Sequence, residues 1–135
     1  MIAEFAEEHR MVLDLVDKFV ENQLMPFEKV VMEREAKGEK AGLLPQEEVP
    51  LLEKCKELGL FALDAPEEMG GSNLPATVML AICEKLWSTV TPFTFPPDSP
   101  NLLMLDAVAT PEQKKKYMEP VSYTHLRAHE TDSYL

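Results

Sequence analysis

Two cysteines in 135 residues are too few for a disulfide framework, and Cys55 and Cys83 are too widely spaced for a zinc site. Each lies among apolar neighbours in a helical pattern and is read as a buried core thiol rather than a reactive one. Basic residues are scarce: 13 Lys and Arg stand against 24 Asp and Glu, a net charge of −11. That balance excludes nucleic acid as a partner, because phosphate binding needs clustered cations. It also excludes docking on an anionic membrane. Lys114-Lys115-Lys116 is the one basic run and is too short to offset the acidic excess. No apolar run approaches the ~20 residues of a membrane span. The opening MIAEFAEEHR is acidic and amphipathic, which is no signal peptide, and the protein is read as cytoplasmic. No stretch alternates with period two for long enough to make a sheet, and no internal repeat is present.

What is there is a series of helices. The length suits one domain with its own core, and the fold class is all-α, a helical bundle. Phe5, Val12, Val16, Phe19, Val20 and Leu24 recur at helical steps along a first long helix that Pro26 ends or kinks. A short charged helix is expected over Glu28 to Ala36, broken by Gly38 and Gly42. The next helix is expected from about Pro45 to Leu58, with Val49, Leu52, Cys55 and Leu58 as its buried stripe and Gly59 as its C-terminal cap. Pro50 within that stretch leaves room for a later start. Leu60 to Ala65 reads as a short extended connector into a turn at Pro66 to Gly71. A fourth helix, about Pro75 to Thr89, carries Val78, Ile82 and Leu86 on one side with Ala81 beside them. The Pro- and aromatic-rich TPFTFPPDSPN precedes a short apolar helix from about Asn101 to Val108. Thr110, Pro111 and Gln113 then form a capping box at the start of the last helix.

Two patterns suggest chemistry and fail on inspection. Gly70-Gly71 lacks the spaced glycines and nearby Lys of a phosphate loop, and Glu67 and Glu68 would repel an anion, so it reads as a plain turn. His125 and His129 stand at a metal-binding spacing, but Leu126 occupies the place where a zincin has Glu. The segment around them, PVSYTHLRAHET (Pro120 to Thr131), also looks like the translation of a transposase adapter used in preparing sequencing libraries. The domain is therefore expected to comprise residues 1–119, with 120–135 an adapter-derived tail outside fold and function. His9 then remains as a lone histidine without a plausible partner. No metal site is assigned.

Four blocks remain to be explained together: FVENQLMP (Phe19 to Pro26), ELGLFALDAPEEMGGSNL (Glu57 to Leu74), ICEKL (Ile82 to Leu86) and TPEQKKKYMEP (Thr110 to Pro120). In this order and spacing they resemble the N-terminal helical domain of the acyl-CoA dehydrogenase family. PPDSPNLLML (Pro96 to Leu105) is further similar to a segment of a branch that contains long-chain and 4-hydroxyacyl-CoA dehydrogenases. Ala109 departs from the Gly usual before the Thr of the last block. After that block the family runs into a flavin-binding β-domain, which is not seen here.

The resemblance implies a parent enzyme that oxidises the Cα–Cβ bond of an acyl-CoA thioester. A glutamate base removes the α-proton and FAD accepts hydride. It implies an electron-transfer acceptor and a homo-oligomer for the full-length protein. The base and most flavin contacts belong to parts absent from this chain, so no catalytic and no cofactor-binding residue is assigned. Glu84, which matches a family position, reads as a helix-surface or inter-helix ion-pair residue. What the resemblance carries over is the far wall of the acyl pocket: Phe93, Phe95, Pro96, Pro97, Pro100, Leu102 and Leu103. These side chains also suit ordinary core packing. The expected function is thus that of a dehydrogenase fragment, inactive alone. A free-standing helical interaction module is the alternative, and a stop codon after Leu135 in clean genomic sequence would favour it.

Overall fold

The computed structural model describes residues 4–96 and 102–118, omitting the side chains of Met69, Leu102 and Leu103. Helices account for its regular structure, with no strand among the described residues. The chain divides into two compact units. Among the described residues, the first joins 4–60 with Pro75–Thr94, and the second joins Phe61–Leu74 with 95–96 and 102–118.

In the first unit, α1 spans Glu7–Phe19, with Glu7 and Glu8 at its N-terminal end and Lys18 in its last turn, as the helix dipole favours. The helical path does not stop at Pro26 but changes pitch there. Val20–Leu24 form a π turn, Met25–Phe27 a 3-10 turn, and α2 follows at once over Glu28–Ala36. The cause is local. Pro26 has no N–H, so Met25 N–H reaches back five residues to the Val20 carbonyl instead of four. Leu13, Val16, Phe19, Val20 and Leu24 are buried through this bend, while Phe5 and Val12 are only half-buried.

α3 spans Pro45–Leu58 and starts at Pro45 despite Pro50 inside it. The carbonyl that Pro50 cannot serve belongs to Gln46, an exposed residue within reach of water. Gly59 closes the helix in the left-handed region at φ 75°, as a cap requires. The expected stripe is corrected in phase: Leu51 and Cys55 are buried, Leu52 and Leu58 half-buried, and Val49 is 52% exposed. α4 spans Ala76–Leu86, ending three residues before Thr89, and buries Val78, Ala81, Ile82 and Leu86 against the unit's core. α1 and α4 pack on each other, and Lys85 Nζ meets Asp17 Oδ2 at 2.5 Å across that contact.

The second unit begins with a loop that folds back on itself, not with an extended connector. Ala62 takes a left-handed φ of 51°, which costs a non-glycine residue roughly 1–2 kcal/mol. Its carbonyl accepts from Ala65 and Ser72, and Leu74 N–H returns to the Leu63 carbonyl at 2.9 Å. The two glycines of the turn serve different ends. Gly70 supplies a left-handed φ of 83°, whereas a Cβ on Gly71 would collide with the Ala65 carbonyl. Further on, α5 spans Leu102–Val108 and α6 Pro111–Gln113, which runs into a π turn over Lys114–Met118. The capping box forms as expected: Gln113 N–H donates to Thr110 Oγ1 and Thr110 N–H to Gln113 Oε1. Lys114 Nζ reaches Asp106 Oδ1 at 3.0 Å and ties this last helical segment to α5.

Candidate acyl-wall segment and surface groove

The segment that follows α4 is anchored before it reaches the residues proposed for a pocket. Thr91 is a buried polar residue, 2% exposed, and its hydroxyl donates to the Leu24 carbonyl at 2.8 Å. Two residues later the Phe93 ring is buried against Phe19, with centroids 5.4 Å apart and planes tilted by 43°, a favourable aromatic contact. Phe93 therefore sits in the core of the first unit. Phe95 and Pro96 fall in the second unit and are half-buried. There the Pro96 carbonyl accepts from Ala62 N–H at 2.8 Å. This bond brings Pro96 of the candidate segment to the strained Ala62 turn, where Phe61 packs on a buried pair of alanines, Ala62 and Ala65. Leu102 and Leu103 form the first turn of α5. Pro97 and Pro100 lie outside the described residues, as do His125, His129 and the 120–135 tail. Sequence pattern did not single out Phe61 or Ala62 as neighbours of the wall, because nothing in their spacing signals a left-handed alanine.

A second feature is an open groove of about 500 Å3 on the first unit. Phe5, Leu13 and Ala81 form its apolar lining, and Arg10, Asp14, Asp17, Glu84 and Lys85 its charged one. Three carboxylates against two cations make this a poor seat for a diphosphate or any other anion. Glu84 stands at the groove as an exposed helix residue.

The cysteines divide. Cys55 is fully buried, and burial pushes its thiol up to about 12, so it stays protonated and inert. Cys83 is half-buried, a correction to the reading of both as core thiols. His9 has a neighbour after all, with Glu8 Oε1 3.8 Å from its Nε2. Among the described residues no three His, Cys, Asp or Glu side chains come together to hold a metal ion. No described helix is long and apolar enough to cross a membrane.

The Arg34–Glu47 ion pair braces the first unit. The Arg34 guanidinium meets both carboxylate oxygens of Glu47, and its Nη1 also donates to the Gly42 carbonyl at 3.2 Å. Glu47 accepts the Leu44 N–H as well, at 3.0 Å, capping the start of α3. Arg34 and that N–H together hold the Glu47 carboxyl down at about 2. This clasp closes the Gly38–Gly42 loop and is structural.

The sequence profile of the family described as "Acyl-CoA dehydrogenase, N-terminal domain" matches residues 6–123. The chain belongs to the acyl-CoA dehydrogenase family. It is 32% identical over 121 residues to the (R)-benzylsuccinyl-CoA dehydrogenase of Thauera aromatica, covering 84% of this chain and 30% of that protein. It is 27% identical over 120 residues to the 3-(aryl)acrylate reductase of Clostridium sporogenes (strain ATCC 15579), covering 87% of this chain and 29% of that protein. A probable acyl-CoA dehydrogenase of Bacillus subtilis (strain 168) is 28% identical over 118 residues, covering 85% of this chain and 18% of that protein. The chain thus spans less than a third of the length of each of these relatives. No solved structure gives a significant match. The matched helical domain accounts for the four sequence blocks and the all-α architecture together.

Proposed function

We propose that this chain supplies the N-terminal helical domain of a flavin-dependent acyl-CoA dehydrogenase, and that the segment beyond Phe93 walls the far end of its acyl pocket. The observation that carries the reading is the family match over residues 6–123, which includes that segment. FAD supplies the hydride acceptor in such an enzyme. The groove of the first unit does not suit it: Asp14, Asp17 and Glu84 outnumber Arg10 and Lys85 there and disfavour its diphosphate. Flavin and base are therefore assigned to other parts of the enzyme, and an electron-transfer acceptor and a homo-oligomeric assembly go with that whole. We assign the working domain to residues 1–119; the family profile runs four residues further, to 123.

Within the wall, the roles differ. Phe93 is the anchor in the core, and Phe95, Pro96, Pro97, Pro100, Leu102 and Leu103 form the apolar surface. Each methylene a substrate tail buries there is worth ~0.8 kcal/mol. Two of the three relatives carry aryl groups in their substrate names, and an aromatic wall residue such as Phe95 suits an aryl terminus.

The test is a chimera in which residues 1–119 replace the corresponding domain of the Thauera aromatica dehydrogenase. Flavin-linked oxidation of straight-chain and aryl-substituted acyl-CoA thioesters is then measured. The expected result is a yellow, active chimera whose KM for the longer substrates rises on Leu103→Trp or Phe95→Trp. A folded, flavin-loaded chimera with no change of substrate preference on either substitution would remove the wall from the proposal. The chain alone is expected to emerge colourless from gel filtration after incubation with FAD.

A further inference from the structure

The bend at Pro26 is held from outside the helix, and the residues that hold it lead into the wall segment. In a regular helix the Leu24 carbonyl would accept the N–H of Glu28. Here Glu28 N–H goes to the Met25 carbonyl instead, within the 3-10 turn. The Leu24 carbonyl keeps only the tighter three-residue bond of the 3-10 pattern, whose geometry is poorer, and its second lone pair is open to another donor. The Thr91 hydroxyl takes that place, at 2.8 Å and 67 residues further along the chain. Next to it, Thr89 Oγ1 donates to Glu28 Oε1 at 2.7 Å and accepts the Thr91 N–H at 3.2 Å. Leu24 precedes the proline and Glu28 follows it. The hydroxyls of Thr89 and Thr91 therefore grip the chain on both sides of the bend, and Phe93 seats on Phe19 one turn earlier.

We propose that Thr89 and Thr91 form a two-point clamp that sets the Pro26 bend, and that the π and 3-10 turns over Val20–Phe27 are a hinge which opens when the clamp releases. Such turns bend helices where the regular bonding pattern is broken, and their exchange of bonding partners leaves them free to change pitch. The clamp makes the bend and residues 91–94 one mechanical element. Its bearing on the acyl wall rests on the reading given above for residues 95 onward, whereas the clamp itself does not.

Amide hydrogen exchange on the full chain tests it, comparing Thr91→Val, which keeps the shape and removes the donor, with Thr91→Ser, which keeps the donor. In Thr91→Val the amides of Met25 and Glu28 are expected to exchange about ten- to a hundredfold faster, while those of Leu51 to Leu58 in α3 hold their rates. Thr91→Ser is expected to keep the slow exchange at the bend. Thr89→Val is expected to speed Glu28 more than Met25. Equal acceleration across all helices, or no acceleration at the bend, overturns the clamp. Should the valine variant fail to fold, the wild-type chain decides: the Thr91 hydroxyl proton is expected in slow exchange with water and close to Leu24 protons. Its absence from the NMR spectrum overturns the proposal. Failure of the chimera's substrate preference leaves these exchange rates untouched, so the two readings fall separately.

Discussion

Glu47 shows how one side chain can brace a loop and a helix start together. Its carboxylate takes the Arg34 guanidinium through two bonds and caps the free Leu44 N–H. These bonds favour the charged form and hold the carboxyl at about 2, below the 4.5 of an unperturbed glutamate. A carboxyl lowered on folding stabilises the native state fully above the unfolded value, and that contribution is lost as pH falls through the folded value. The window thus runs from pH 4.5 down to about 2. Across it the thermal midpoint of the wild-type chain is expected to fall more steeply than that of Glu47→Gln, which starts lower at pH 7. Parallel curves over that window would show that the pair adds nothing to stability. The sequence placed the start of this helix at about Pro45, which puts Glu47 in its first turn, but gave no sign of Arg34. A partner thirteen residues upstream, across two glycines, leaves no periodic signal. The same holds for Cys83, whose apolar neighbours suggested burial that its position on α4 only half provides.

Helix phase separates what was legible at the level of the element from what was not. α2 and α3 begin and end where glycine, proline and charge placed them. On α4 the buried set Val78, Ala81, Ile82 and Leu86 mixes three- and four-residue steps, which keep to one face. On α3 the series Val49, Leu52, Cys55, Leu58 uses only three-residue steps. At 3.6 residues per turn each such step slips by about 60°, so its two ends face opposite ways. Leu51 to Cys55 is a four-residue step, and those two are the residues buried. A denaturant series checks the phase of α4. Ile82→Ala is expected to cost about 2–5 kcal/mol, as for a buried aliphatic truncated in a core. Leu80→Ala, at a 61% exposed position two residues away, is expected to stay within about 0.5 kcal/mol of wild type. Equal losses would mean that α4 is rotated on the core. The bend at Pro26 was legible as a kink. The π turn was not, because a missing N–H at Pro26 announces a break in the bonding pattern but not which carbonyl the preceding N–H will take.

For the whole molecule, charge and exposed apolar surface pull against each other. Leu80 on α4 and Trp87 at its C-terminal cap lie seven residues apart, two turns along one face, and Trp87 is 78% exposed. In the second unit Met104 and Val108 are four residues apart on α5 and likewise uncovered, with Val108 at 73%. Single exposed apolar residues are ordinary, but paired stripes on short helices are surfaces that association would bury. The reading of residues 93–103 as a wall came only from the resemblance to the family, since a Pro- and Phe-rich stretch has no period from which to infer its neighbours. The opposing force is the net charge of −11, which keeps copies apart at low ionic strength. At 0.01 M salt the screening length is about 30 Å, and at 1 M about 3 Å, so added salt should remove the repulsion and leave the apolar attraction. Light scattering and the fluorescence of a hydrophobic dye are therefore expected to rise together along a salt series. Trp87→Ser and Val108→Ser should each reduce the rise if the stripes are the adhesive surface. A dye-silent monomer at every salt concentration would mean that the exposed stripes are not sticky, and would favour a free-standing helical module over a domain that works against other parts of an enzyme.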